Sequence, residues 1–406
     1  AHMLYCMLGE PWGIAGLSLS LGGLNLYATD LLVLLLAAAW LLGGLRAGRL
    51  PARPRDPIVI AMTLYLLYGL FSLARSWPLH GRAALPDFRM QFLYALLFPL
   101  CLWAFARPET RRVLLGSVIG AAALISLLGF ANAIAGRPVG MTTSSLTYRY
   151  LSGLQALAAF FGLSLIAGYV WSRARPAWSL LLGALCLAAV LLAQARSVWL
   201  GGALALLVAL GGATAATRRR LLRHLPLVGA VGLIALAAVF ALNLGLTEDL
   251  ATRAASLAEV STDLTTIWRL YVWGEAWNDL RASPLLGLGL GREFAYFDAF
   301  EGAWRTDRQL HNSHLELAYY TGWIGALLLV AFQLLVLLRT LRAARRAGGT
   351  PGEGRLLALA ACQVCLAGVS FTNVISASLV ATHYIWVLSA MSLLEARAAE
   401  GRDSGA

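Results

Sequence analysis

Charged side chains are scarce in this sequence. Only 13% of its 406 residues are charged, whereas 59% are hydrophobic, and the mean hydropathy is +0.72. A soluble core of this length could not bury so many apolar side chains, so the composition excludes the usual soluble classes of protein. The sequence therefore predicts an integral membrane protein.

Lysine is absent, because arginine accounts for all 32 basic residues. High-GC codon usage can produce this bias, so we attach no function to it. The arginines are spread over many short segments between the apolar runs, and the isoelectric point near 10.0 therefore indicates membrane topology. No nucleic-acid partner is predicted, since no single basic patch is concentrated in one segment.

Cysteine is also rare, and its placement does not suggest a disulfide framework. The five cysteines are Cys6, Cys101, Cys186, Cys362 and Cys365. Most lie inside apolar runs, and the last two fall within one run instead of beside a strand-helix redox unit. We therefore interpret them as small buried hydrophobic residues.

Apolar runs of about 17 to 25 residues recur from end to end, each long enough to cross about 30 Å of hydrocarbon as a helix. The predicted spans are approximately residues 4–23, 30–45, 57–75, 90–106, 113–135, 150–171, 178–195, 199–216, 226–244, 316–338, 356–374 and 378–395. These twelve runs predict an all-α bundle, because an open sheet edge would leave backbone groups unpaired in lipid.

The arginine distribution predicts the orientation of the chain. With a cytoplasmic N-terminus, 20 of the 32 arginines fall in cytoplasmic segments and 12 fall outside, six of these in one long loop. The positive-inside rule thus favours two cytoplasmic termini. The predicted division is an expression-vector remnant (1–2), nine helices (3–244), a large outer loop (245–315), three helices (316–396) and a cytoplasmic tail (397–406).

The long outer loop is predicted to be a partly folded cap. Its stretch "TTIWRLYVWGEAWNDLRA" is typical of a helix, and the following "SPLLGLGLG" is typical of a tight loop. Gly287, Gly289 and Gly291 in that loop match neither a Walker loop nor a Rossmann fingerprint, because no strand precedes them and no Lys-Ser/Thr follows. A loop of this length is usually functional.

Two outer arginines are candidates for binding an anion. Arg196 lies between two predicted spans, where it either snorkels to the interface or clamps a phosphate with its planar, permanently charged fork. Arg269 lies in "IWRLYVWGEAW", four residues before Trp273, and it either stacks on that ring or binds the same anion.

Two histidines precede the tenth predicted span, in "HNSHLELAYYTGWIG". If a helix begins near Asp307, then Asp307, His311 and His314 share one face, and that spacing could hold a metal. A general base is the alternative that we favour, because histidine titrates near neutral pH and can accept a proton from a sugar hydroxyl. An interfacial histidine without a role remains a third interpretation.

The residues from His311 onward resemble a known family signature. His311-Asn312, nine residues, Gly322, two residues and Gly325 match the pattern His-Asn/Ser/Gln, nine positions, Gly, two positions, Gly of bacterial O-antigen ligases. The block "WRLYVWGEAWNDLRASPLLGLGLG" is similar to the Arg/Trp-to-Pro/Gly block of the wider ligase and polymerase superfamily, and Arg196 lies where that family has an arginine. The resemblance covers residues from about 190 to 330.

This resemblance implies an inner-membrane protein of the glycosyltransferase-C-like type, with about twelve helices and one large periplasmic loop. It implies transfer of a glycan from undecaprenyl diphosphate to the lipid A-core of lipopolysaccharide, on the periplasmic side and without nucleotide, metal or other cofactor. His311 would be the base, while Arg196 and Arg269 would hold the leaving diphosphate. Arg89, Asn312 and His314 would assist in binding substrate.

Two alternatives remain open at this stage. A polymerase of the same superfamily would use another lipid-linked glycan as its acceptor. A transporter would also have about twelve spans, but the sequence contains no internal repeat and few charges within its spans, which disfavours it. Gly322 and Gly325 are expected to allow close approach of neighbouring helices in lipid.

Overall fold

The computed structural model describes residues 18–21, 24–46, 56–137, 139–141, 148–172, 177–242, 264–298, 302–307, 309–373 and 379–401. All structural statements below concern these residues. Cys6, most of the first predicted span and residues 245–263 of the long loop lie outside them.

The described chain is mainly helical. Its α-helices are α1 (Ala28–Arg46), α2 (Pro57–His80), α3 (Ala84–Phe88), α4 (Leu97–Ala104), α5 (Pro108–Ile134), α6 (Gly153–Ser172), α7 (Ala177–Leu192), α8 (Arg196–Gly212), α9 (Ala215–Leu242), α10 (Leu264–Leu280), α11 (Ser313–Arg346), α12 (Pro351–Ser370) and α13 (Leu379–Ala399). A π-helix at Arg89–Leu93 and a 3-10 turn interrupt the predicted span 90–106. Elsewhere in the described residues, the helices follow the predicted spans from residue 30 onward.

Three antiparallel hairpins modify the predicted all-α fold. Their strands are β1 (Ser18–Leu21) with β2 (Leu24–Tyr27), β3 (Gly140–Met141) with β4 (Tyr148–Arg149), and β5 (Phe294–Asp298) with β6 (Ala303–Asp307). Strand β1 lies in the predicted span 4–23, so that span is wrong over those residues. Each hairpin pairs the facing backbone groups of its two short strands.

Helix α12 occupies the centre of the bundle, packed by α6, α8, α11 and α13. Of its most apolar 18-residue window, 72% is buried inside the protein, whereas the corresponding share for α5 and α11 is at most 39%. Gly168 of α6 and Gly354 of α12 each lie against the other's carbonyl, where a Cβ atom would collide. Small residues thus permit close helix contact, as expected in lipid.

Within the part of the chain that the structure describes, four segments are long and apolar enough to cross a membrane. They are Pro57–Ala104, Pro108–Ile134, Ser313–Arg346 and Pro351–Ser370. Large apolar side chains such as Leu67, Leu207 and Leu327 remain exposed on the outer surface of the bundle, as expected where lipid is the solvent. The protein is therefore a membrane protein, and the total of twelve spans stays a prediction.

One end of the bundle contains an ion-pair cluster, and we call it the Arg-rich end. Arg339 of α11 pairs with both Asp56 and Glu400, and Arg397 of α13 lies 3.2 Å from Asp56. Asp56 also caps α2 by accepting a hydrogen bond from Ile58 N (3.0 Å). Three segments predicted on the same side of the membrane therefore lie at the same end of the bundle.

The four described cysteines, Cys101, Cys186, Cys362 and Cys365, are free thiols buried among the helices. This confirms their interpretation as small buried residues.

Candidate active site

His311 lies in the short connection between strand β6 and helix α11. Its φ is +51°, a left-handed conformation that non-glycine residues rarely adopt. Two hydrogen bonds to the preceding residue hold this connection: Trp273 Nε1 donates to Leu310 O (2.7 Å), and Leu310 N donates to Glu316 Oε2 (3.3 Å). Such a backbone costs on the order of 1–3 kcal/mol and persists only where its surroundings enforce it.

The expectation of a continuous helix from Asp307 is wrong. Asp307 is the last residue of β6, and α11 begins only at Ser313 because Asn312 caps it. The Asn312 Oδ1 atom accepts hydrogen bonds from His314 N and Leu315 N, each 3.1 Å long. Asp307 and the two histidines therefore do not share a helical face, and no three His, Cys, Asp or Glu side chains among the described residues could hold a metal together.

The His311 ring is half-buried against helix α10. Its centroid lies 5.2 Å from that of Trp268, with the rings at 70° to each other. Burial lowers the pKa of His311 below its usual 6.5, the positive charge of Arg269 lowers it further, and Asp307 opposes both effects. The imidazole is therefore mostly neutral at pH 7 and able to accept a proton.

Arg196 is the first residue of α8, and a chain of hydrogen bonds connects this helix start to that of α11. Asn373 Nδ2 donates to Ser197 Oγ (2.8 Å), and Ser313 Oγ donates to Asn373 O (3.0 Å). Gln194, two residues before Arg196, is fully buried and has a φ of +50°. It is the other non-glycine residue with positive φ in the described chain, so one such residue is the candidate base itself and the other lies close to a candidate anion-binding arginine.

The glycines of the family signature form a junction between a loop and a kinked helix. We call residues 283–291 the Gly-rich loop. Helix α11 is broken at Gly322, whose φ is +71°, and the carbonyls freed there accept hydrogen bonds from Leu288 N and Gly289 N (2.8 and 3.0 Å). In return Trp323 N donates to Pro284 O (2.9 Å). The expectation for Gly322 needs correction, because its close neighbour is this loop and not a helix.

Gly325 does serve helix contact, since a Cβ atom there would approach both Thr321 and the ring of Tyr68 on α2. The Tyr68 hydroxyl donates to Thr321 O (2.6 Å), which satisfies another carbonyl at the break.

Side chains near the end of α2 and in α3 hold the other face of the Gly-rich loop, and no sequence motif predicted them. Arg75 donates to Leu286 O (2.5 Å) and Gly287 O (2.8 Å). Ser76 Oγ accepts from Leu290 N (2.8 Å), and Asp87 accepts from Gly291 N (2.6 Å). Asn373 and Ser197 were missed for the same reason: each is a lone polar residue whose partner is distant in sequence.

Arg89 belongs to a network that centres on Asp30 of α1. Its guanidinium lies 3.4 Å from the buried Asp30 carboxylate and 4.5 Å from the centroid of the Tyr27 ring. Tyr94 donates to the same carboxylate (2.7 Å). Part of the charge of Arg89 is therefore neutralised within the protein.

His314, in the first turn of α11, packs its ring 4.6 Å from that of Phe371. Beside it, a small cavity is lined by Gln91, Gln333 and Thr382. The structure thus separates its surroundings from those of His311, which faces Trp268.

Comparison with known protein families gives a match over part of the chain. The family described as O-Antigen ligase matches residues 181–330. This match supports membership of the O-antigen ligase/polymerase superfamily. The matched segment runs from α7 to the middle of α11 and contains Arg196, Arg269 and His311, whereas Arg89 lies outside it. No curated protein matches the chain significantly. Superfamily membership supports an enzyme of the glycosyltransferase type acting on a lipid-linked glycan in a membrane.

Proposed function

We propose that this superfamily member is an O-antigen ligase in the bacterial inner membrane. It moves an O-antigen glycan from undecaprenyl diphosphate to a lipid A-core acceptor on the periplasmic face. The observation that carries the proposal is the half-buried His311, which lies in a strained connection close to Arg269 and directly before a helix start that hydrogen bonds link to the start of the Arg196 helix.

The reaction requires one base and one stabilised leaving group. His311 removes the proton from the acceptor hydroxyl, the oxygen attacks the anomeric carbon, and the bond from that carbon to the diphosphate oxygen breaks. The configuration at that carbon inverts because attack and departure occur on opposite faces. Arg196 and Arg269 neutralise the diphosphate as it leaves, a role that suits a planar fork of donors.

The supporting roles follow from the described contacts. Asn312 fixes the start of α11 by capping it, so its contribution to substrate binding is indirect. His314 and Arg89 remain candidates for contact with substrate outside the central group. No step of this scheme requires a metal or nucleotide, because the diphosphate already activates the sugar.

The test is glycan transfer by the purified protein in detergent with lipid-linked glycan and lipid A-core. His311→Ala should reduce kcat by about 10²- to 10⁴-fold, the usual contribution of a general base, while the donor still binds. Arg196→Ala should lose activity, and Arg196→Lys should bind the donor more weakly than the wild type and retain only part of its activity. The reason is that an ammonium group cannot reproduce the planar fork of a guanidinium. Transfer by His311→Ala at the wild-type rate would disprove the assignment of the base.

The same assay separates ligase from polymerase. A ligase extends lipid A-core, whereas a polymerase joins one lipid-linked glycan to another and leaves lipid A-core unchanged. Family membership is compatible with both, and the complete His-Asn and Gly-x-x-Gly signature favours the ligase. A transporter would give no transfer in detergent, where no sealed compartment exists.

A further inference from the structure

A large apolar cavity lies away from the candidate active site, between helices α6, α7, α8, α9 and α12. Its volume is about 390 Å³, within the range of about 300–1,000 Å³ that is typical of ligand pockets. Along α8 its lining extends from Val198 to Ala209, which corresponds to roughly 16 Å of helix. Nearly all the lining side chains are aliphatic or aromatic, so the cavity suits a hydrocarbon chain.

The two ends of this cavity differ in polarity. Ser179, at the start of α7, and His224, in α9, line it at the Arg-rich end. The end nearer the active site is lined by Leu191, Val198 and Trp199, and the indole N–H of Trp199 already donates to Val190 O (2.9 Å). The cavity is therefore shaped for an amphiphile whose polar head lies at the Arg-rich end.

Positive charge surrounds that polar end. Arg219, Arg220 and Arg223 of α9 are exposed, and among the described residues no carboxylate pairs with them. Arg220 precedes His224 by four residues, so it lies one helical turn beyond the cavity on the same face of α9. An anionic head group at this position would meet uncompensated positive charge.

We propose that this cavity binds an anionic phospholipid of the membrane leaflet at the Arg-rich end. One acyl chain fills the cavity between α7, α8 and α9, and the phosphate group lies beside Arg220 and Arg223. The ligand is distinct from the glycan donor, whose diphosphate is assigned above to the opposite end of α8 at Arg196. The polyprenyl tail of that donor is the competing occupant, but it would bring its charged head to the apolar end of the cavity.

Native mass spectrometry of the full-length protein tests the proposal. Phosphatidylglycerol is the anionic probe, and phosphatidylcholine, which is zwitterionic and carries no net charge, is the control. Phosphatidylglycerol should bind preferentially. The double variant Arg220→Gln/Arg223→Gln should weaken that binding about 30-fold, which corresponds to about 2 kcal/mol for two charges near an anionic lipid. Arg342→Gln/Arg345→Gln removes two exposed charges from α11 at the same end and should leave the affinity nearly unchanged.

A second variant tests the acyl-chain half of the site. Gly229 lines the cavity, and a Cβ atom there meets open space, so Gly229→Phe should fill the cavity without displacing backbone. It should abolish specific phosphatidylglycerol binding while the unfolding temperature in detergent is retained. Gly120→Phe is the matched control, because Gly120 also faces open space but lies on α5 outside the cavity.

Three outcomes would overturn the proposal. Equal affinity for phosphatidylcholine would show that the arginines do not recognise the head group. Unchanged binding in Gly229→Phe would show that the acyl chain does not occupy the cavity. In the third outcome, undecaprenyl phosphate displaces phosphatidylglycerol and binds equally well to the Arg220/Arg223 variant. That result would assign the cavity to the polyprenyl tail of the donor. Glycan transfer is not used as a readout, so these outcomes do not depend on the proposed reaction.

Discussion

The two ends of the helical bundle are held by different interactions. At the Arg-rich end, charged side chains of α2, α11 and α13 form direct ion pairs around Asp56, and the left-handed residues beside them, Gly349 and Gly401, are glycines. The opposite end contains the candidate active site, and we call it the active-site end. Its contacts are mainly hydrogen bonds to backbone groups, and the chain there is left-handed at His311 and broken at Gly322. The first arrangement stabilises the fold, whereas the second holds backbone in positions that it would not adopt alone.

The strongest way to disrupt the active-site end is Gly322→Ala. The added Cβ atom would collide with Leu285 O, and alanine at a φ of +71° is itself strained. Together these effects should lower the free energy of unfolding by about 3 kcal/mol or more. Thermal unfolding in detergent measures the loss, and Gly120→Ala, on an exposed helical face, should be neutral or slightly stabilising. Equal stability of the two variants would contradict the loop-helix junction.

At the Arg-rich end, the corresponding change is Asp56→Asn, which retains a helix cap but removes the charge. Because Arg339 and Arg397 would lose their shared partner, the free energy of unfolding should fall by about 2 kcal/mol, with kcat of the folded fraction unchanged. The exposed Glu109 provides a control as Glu109→Gln. A loss of transfer without a loss of stability would show that the two ends are not separable in this way.

The contribution of Asp56 should also depend on pH. Burial raises its pKa, but hydrogen bonds from Arg339, Ile58 N and Arg397 outweigh burial and leave the pKa below its ordinary value of 3.8. A lowered folded pKa means that the stabilisation is present above pH 3.8 and is lost as the pH falls through the folded value. The stability difference between wild type and Asp56→Asn should therefore be constant from neutral pH to about pH 5, and should shrink only in stronger acid.

A smaller effect is expected from the hydrogen bond between Asn373 and Ser197. Asn373→Ala removes this bond but keeps the backbone carbonyl that Ser313 uses, so α8 should shift slightly relative to α11. We expect about a tenfold decrease in kcat/KM for transfer, equivalent to about 1.4 kcal/mol. Ser197→Ala should have the same effect, and the double variant should be no worse than either single variant. Additive losses would show that the two side chains act separately.

The smallest expected effect is a shift in the pH profile of transfer. As the proposed base, His311 acts in its neutral form, so the rate should fall as the pH drops through a pKa below 6.5. Removing the positive charge in Arg269→Gln should move that limb to higher pH, and Asp307→Asn should move it to lower pH. Movement of both variants in the same direction would rule out these charges as the cause.

Much of the membrane-spanning part was predictable from sequence. The apolar runs at residues 113–135 and 316–338 predicted the helices Pro108–Ile134 and Ser313–Arg346, because a segment that crosses lipid needs a long apolar helix. The helix at Leu264–Leu280 followed by a tight loop was also predicted. The β5–β6 hairpin was not, because its two short strands carry no strong alternation and border residues that resemble a helix start.

The candidate site was predictable only in its chemistry. His311, Arg196 and Arg269 can be selected from their residue types and family spacing, but the contacts that hold them cannot. Ser197 and Asn373 are 176 positions apart in sequence, so no local pattern predicts their hydrogen bond. The helix expected from Asp307 does not form for a local reason. Asn312, five residues later, caps the helix by accepting hydrogen bonds from backbone N–H groups, so that the helix begins at Ser313.

The junction between the Gly-rich loop and Gly322 also constrains how relatives of this protein can diverge. A side chain at Gly287 would enter the backbone around Gly322, and a side chain at Gly322 would enter the backbone at Leu285. Neither position can therefore acquire a larger residue while the other segment stays in place. Substitutions at these two sites should therefore be correlated. A relative that lacks one glycine should also differ in the sequence and backbone of the facing segment.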